Sequence, residues 1–113
     1  MAKVKCIIKR PEEQYGHVTN ISTTLANLQN IVEGAPTSLI ITTKMEDHPD
    51  VIVIFNAEGK KRGLAPSFKV AHGEDYATIR GTSIIIGIKD NELVDLPISF
   101  AAWKTAMFEW GNL

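Results

Sequence analysis

Between Glu58 and Lys69 four basic side chains (Lys60, Lys61, Arg62 and Lys69) face one acid, a local charge of +3. Such a run has the chemistry of anion recognition. A guanidinium forks onto two phosphate oxygens, and an ammonium adds a compact positive charge. Arg62 would supply the fork and Lys60 or Lys61 the point charge, with Asn56 at the head of the run counted among the ligand-binding candidates. Phe68 and Tyr76 follow closely enough to stack on a base. The plainer reading is a hairpin tip whose lysines keep a sheet edge soluble.

The opposite charge lies at Glu33–Asp50, which carries −3, so the net charge of −1 hides a basic run and an acidic one. Near-neutrality gives no global electrostatic case for DNA, RNA or an anionic membrane. Other chemistries lack a pattern. His17, His48 and His72 lie far apart, and no His-x-x-x-His or Cys-x-x-Cys spacing places ligands on one element. The Glu46–Asp50 stretch around His48 offers oxygens and an imidazole, but it reads more simply as a solvated acidic loop. Cys6 has a lysine on each side, which in a strand points to the opposite face, so it reads as a buried structural thiol. No Gly-x-Ser-x-Gly elbow occurs, and Gly59-x-x-x-Gly63 lacks the rest of a phosphate-cradling loop. The sequence therefore predicts a binding protein rather than an enzyme, with no metal and no cofactor.

The elements that must position these residues follow from periodicity. Lys3–Lys9 alternates, with Val4, Cys6 and Ile8 on one covered face, and reads as a strand ended by Pro11. Ser22-Thr23-Thr24 can cap a helix over Thr24–Glu33, whose stripe is Leu25, Leu28 and Val32 and whose stop is Gly34 and Pro36. Thr37–Thr43 is β-branched and uncharged, and Val51–Asn56 is a central strand by its continuous apolar run. Lys44–Asp50 reads as a loop, Lys60–Leu64 as a short returning strand and Ala65–Ala77 as a long loop. Thr78–Ile88 is a strand, Leu93 and Val94 pair briefly, and Ile98–Glu109 is a helix marked by Phe100, Trp103, Met107 and Trp110. Its aromatic stripe suits a core, while Trp110, near the chain's end, also suits an interface. At 113 residues the chain supports one domain, 1–113. The expected fold is α+β, a mostly antiparallel sheet with two helices packed on one face. Leu25, Leu28, Val32, Ile52, Ile54, Ile85 and Trp103 are expected to be buried.

The Asn56–Pro66 run also resembles a signature, Asn-x-Glu-Gly-Lys-x-x-Gly-Leu-x-Pro, of a family of short domains of unknown function carried mainly by bacteriophages and mobile elements. Thr24-Leu25-x-x-Leu28-Gln29-x-Ile31-Val32-x-Gly34 is similar to that family's first helix, and Gly81-Thr82-x-Ile84-Ile85-Ile86-Gly87 to its late strand. The likeness runs from about Lys3 to Gly87 and leaves the helical tail from Pro97 uncovered. Where the family usually carries Asn-Arg after Gly-Leu-Pro, this chain has Ser67-Phe68, so nothing carries over from that pair.

The resemblance implies an accessory protein, whose expected role is to sequester a phosphate-bearing host signalling nucleotide without cleaving it. Direct inhibition of a host immune or restriction protein is the alternative. A chain this small would most easily build its pocket across a subunit boundary, so a homo-oligomer is expected. Only three uncharged residues separate Lys5 from Lys9 and no apolar run nears the roughly 20 residues of a membrane span, so the expected location is the cytoplasm.

Overall fold

The computed structural model describes residues 3–32, 40–45, 48–72 and 75–110; the side chains of 40–45, 71–72, 75–77 and 108–110 lie outside the description. In chain order the elements are β1 (Val4–Lys9), β2 (His17–Ile21), α1 (Leu25–Ile31), β3 (Ile40–Met45), β4 (His48–Asn56), β5 (Pro66–His72), β6 (Asp75–Arg80), β7 (Ser83–Lys89), β8 (Glu92–Val94) and α2 (Phe100–Trp110). Five strands run β2-β1-β7-β4-β3, β8 pairs with β7, and every pairing is antiparallel. A second sheet consists of β5 and β6. The α+β class holds.

The helices, however, do not share a face. Side chains alternate across a strand, and β7 divides accordingly: Ile84 and Ile86 join one core, Ile85 the other. Cys6, Ile8, Ile52 and Ile54 pack with Leu28 and Val32 of α1. Ile7, Val51 and Val53 pack on the opposite side with Trp103 and Met107 of α2 and with Phe68, Val70 and Ile79 of the small sheet. The order of layers is α1, large sheet, then α2 with β5–β6. The β5–β6 hairpin covers the second face beside α2, and that leaves α1 the first. For the same reason β1 is covered on both faces, and Ile7 and Lys9 are as buried as Cys6 and Ile8.

Thr24 caps α1 through its Oγ1, which accepts from the Asn27 amide at 3.3 Å. Leu28 and Val32 are buried as expected, but Leu25 is 64% exposed. It is the first helical residue, and contact with the sheet begins one turn later. Ile52, Ile54, Ile85 and Trp103 are all buried. The predicted loop at 44–50 is shorter than expected, because β3 runs to Met45 and β4 starts at His48. Gly34, Pro36 and the 46–47 part of the acidic stretch lie outside the described residues. Among the described residues the Ile40–Thr43 part of the uncharged segment lies at the end of the sheet, while Thr37–Leu39 lie outside the description. β7 and β8 join through Asp90 and Asn91, both at positive φ (52° and 64°), as a tight primed hairpin turn requires.

Candidate functional site

The basic run is neither a returning strand nor a hairpin tip. It is a single helical turn between the two sheets, capped at both ends. The Asn56 side-chain Oδ1 accepts from the Glu58 amide at 2.9 Å, which caps the start. The Arg62 amide donates to the Glu58 carbonyl at 2.8 Å. At the far end Leu64 N–H reaches the Gly59 carbonyl at 2.8 Å and Gly63 N–H the Lys60 carbonyl at 3.2 Å. This pair of bonds is a Schellman closure, and it requires a left-handed residue at Gly63, whose φ is 70°. A side chain at Gly59 would bring its Cβ within 2.9 Å of the Arg80 Cβ, so Gly59 lets the turn seat on β6. Pro66 then opens β5. The glycines, Asn56, Leu64 and Pro66 of the signature thus build the turn, and Lys60, Lys61 and Arg62 are what it displays.

Space around Gly63 is open, with nothing within 4 Å of an added Cβ. Gly63→Ala therefore carries only the left-handed backbone penalty. Chemical denaturation should show a loss of about 1–2 kcal/mol; an unchanged midpoint would mean that the turn is not closed in this way.

The six predicted ligand residues have different fates. Lys60, Lys61 and Arg62 are exposed on the turn. Asn56 is 2% exposed and serves as the cap, although it also borders a hollow. Phe68 must be corrected: it is 0% exposed, edge-on to Trp103 with ring centroids 5.5 Å apart, and offers no face to a base. A bulge between Pro66 and Phe68 shifts the β5 register, and Phe68 joins the core with Val70. Tyr76 pairs with Ala71 in the hairpin, and its side chain lies outside the described residues.

The structure brings other groups to the turn. A hollow of about 300 Å³ is lined by Phe55, Asn56, Lys60, Thr78 and Arg80, together with Ala57 and Gly59. Thr78 and Arg80 alternate with the buried Ile79, so they share the face of β6 turned away from the core. Arg80 Nη1 donates to the Leu64 carbonyl at 3.3 Å, which fixes the guanidinium beneath the turn. Phe55, half-buried, is the aromatic residue among those that line the hollow. The expected single strand Thr78–Ile88 is two strands in different sheets, β6 and β7, parted at Gly81 (φ 75°). With 65–77 read as a loop nothing showed Thr78 and Arg80 beside the turn; the cue was Phe68 and Val70 alternating ahead of Thr78-Ile79-Arg80.

Among the described residues one cation is fully buried, and the sequence did not mark it. Lys9, 1% exposed, donates from Nζ to the Glu13 carbonyl at 2.7 Å, Ser67 Oγ at 2.9 Å and the Arg10 carbonyl at 3.1 Å. It ties the 10–13 turn to β5. Burial pushes its pKa below the ordinary ammonium value, against the pull of the Glu13 and Glu12 carboxylates. The turn is held further by Glu13, which accepts from the Arg10 amide at 3.1 Å and sits 2.8 Å from His17 Nδ1. Cys6, fully buried, has its thiol pushed up to about 11 and is a packing residue, as the sequence suggested.

An α+β domain with a doubly capped basic turn seated over a small polar hollow is the class of protein that fold and site define. The chain belongs to the family described as Domain of unknown function (DUF3846), which it matches over residues 4–109. That match takes in α2, so the helical tail is part of the family domain and not an addition to it. No curated protein and no solved structure matches the chain.

Proposed function

We propose that the protein is an accessory protein of the phage and mobile-element kind that binds a phosphate-bearing host signalling nucleotide and sequesters it uncleaved. One observation carries the reading: Lys60 and Arg80 line the same hollow as the half-buried ring of Phe55. Two cations beside a ring suit a phosphate joined to a base, through charge-assisted bonds and stacking. Binding of this kind asks for no nucleophile and no general base. A ligand of roughly 40 heavy atoms at roughly −0.3 kcal/mol each would reach nanomolar affinity, which is what sequestration needs.

The hollow is small for such a ligand, and a second copy would deepen it. Ile40 and Ile41 of the end strand β3 pair with Asn56 and Phe55, two of the residues that line the hollow. A copy pairing along β3 would therefore wall the hollow's flank, in keeping with a homo-oligomer. The test is a thermal-shift panel of linear and cyclic nucleotides, with inorganic pyrophosphate as the minimal probe. A dose-dependent rise in melting temperature with a nucleotide supports the reading. A panel with no shift would overturn it and leave direct inhibition of a host protein as the alternative.

A further inference from the structure

On the other side of the same turn lies a larger cleft of about 460 Å³, lined by Arg10, Pro11, Glu12, Leu64, Ala65 and Thr82, with Gly63 and Gly81 between them. The two spaces share one wall. Lys60 faces the hollow and Gly63–Leu64 the cleft, while Arg80 faces the hollow and Gly81–Thr82 the cleft. The Arg80 guanidinium, 3.3 Å from the Leu64 carbonyl, reaches across that wall. At Gly63 the wall is bare backbone, with nothing within 4 Å of where a Cβ would stand.

The cleft's chemistry differs from the hollow's. Its walls mix apolar surface (Pro11, Leu64, Ala65) with one carboxylate, Glu12, and one guanidinium, Arg10. Arg10 is drawn to Glu13 at 3.5 Å, and both Glu13 oxygens are engaged, one by Arg10 and the other by His17. Glu12 is exposed at the rim, with no hydrogen bond or ion pair to its carboxylate among the described residues. A carboxylate repels a second phosphate but accepts well from a sugar hydroxyl, the way an acidic side chain reads a ribose 2′-hydroxyl in dinucleotide folds. Its position is set from beneath, because Lys9 holds the carbonyls of Arg10 and Glu13 on either side of it.

We propose that the ligand straddles the turn, its phosphates on Lys60 and Arg80 and its ribose in the cleft with a hydroxyl donating to Glu12. The site would then select ribonucleotides over deoxyribonucleotides. This rests on the phosphate-site reading above, and the test separates the two. Calorimetric titrations would use inorganic pyrophosphate, the four ribonucleoside 5′-diphosphates and their 2′-deoxy counterparts, on wild type and Glu12→Ala. Loss of a hydrogen bond to a charged group should weaken the preferred deoxynucleotide by about tenfold in wild type. In Glu12→Ala that preference should vanish while pyrophosphate binds at least as tightly, which shows that the fold and the phosphate site survive. Equal affinity for ribo and deoxy forms in wild type, or a preference that persists in Glu12→Ala, overturns the ribose assignment and leaves the phosphate site standing. Failure of every probe, pyrophosphate included, overturns both.

Discussion

Trp103→Ala is expected to destabilise the protein by about 3–5 kcal/mol, the range for emptying a large buried aromatic site. The indole is 0% exposed and stands at 88° to Phe68, so it joins α2 to the small sheet. Its Nε1–H donates to the Tyr15 carbonyl at 2.7 Å, joining both to the segment that leads into β2. Removing it loses apolar burial, an edge-to-face contact and a buried hydrogen bond together, and leaves the Tyr15 carbonyl short of a partner. Urea denaturation measures the loss directly. A change under about 1 kcal/mol would mean that α2 does not pack on β5 as described.

Lys9→Ala should cost about 2–5 kcal/mol, through the space left by the side chain and the acceptors on Arg10, Glu13 and Ser67 deprived of their donor. Lys9→Met keeps most of the volume and should cost less, about 1–3 kcal/mol, since only the polar contacts are lost. The pH dependence isolates the ammonium. Because the folded-state pKa of Lys9 lies below its ordinary 10.5, the unfolded chain holds more protons between the two values. Wild-type stability from this group therefore rises with pH across that alkaline window. Cys6 acts in the opposite sense, since the unfolded thiol ionises from 9.0 and the folded one only at about 11. Both chains carry Cys6, so wild type minus Lys9→Met cancels it. The difference in unfolding free energy should grow towards pH 10.5, measured by denaturant titration at stepped pH. A flat difference would mean that Lys9 is not desolvated.

The central sheet was legible because its strands carry uninterrupted apolar runs: Val51–Phe55 and Ile84–Ile86 announce strands covered on both faces. Helix α2 was legible from Phe100, Trp103 and Met107 at helical spacing. The side on which each helix lies was not, since a stripe says only that a face is covered, never by which layer. The β5–β6 hairpin escaped because a bulge at Ser67 breaks the period-two signal just where it begins. Without that hairpin Thr78 and Arg80 could not be placed on the hollow beside the turn, and Phe68 looked like a surface ring. Lys9 escaped for a different reason. A lysine closing a run of lysine-flanked apolar residues reads as solvated, and only the convergence of Arg10, Glu13 and Ser67 makes its burial affordable. Within the Asn56–Pro66 run the residues read as one group, but the structure splits their roles. Asn56, Gly59 and Gly63 shape the turn, and the cations between them are its displayed surface.

The central claim is that the displayed lysine and Arg80 form one anion site. Calorimetric titration of inorganic pyrophosphate into wild type, Lys60→Ala and Lys60→Arg tests it most directly. Wild type should bind, Lys60→Ala should bind at least about tenfold more weakly, and Lys60→Arg should recover most of the affinity. Melting temperatures should stay level, because an exposed side chain contributes little to folding. Pyrophosphate that binds Lys60→Ala as tightly as wild type, or that binds neither, would contradict the account.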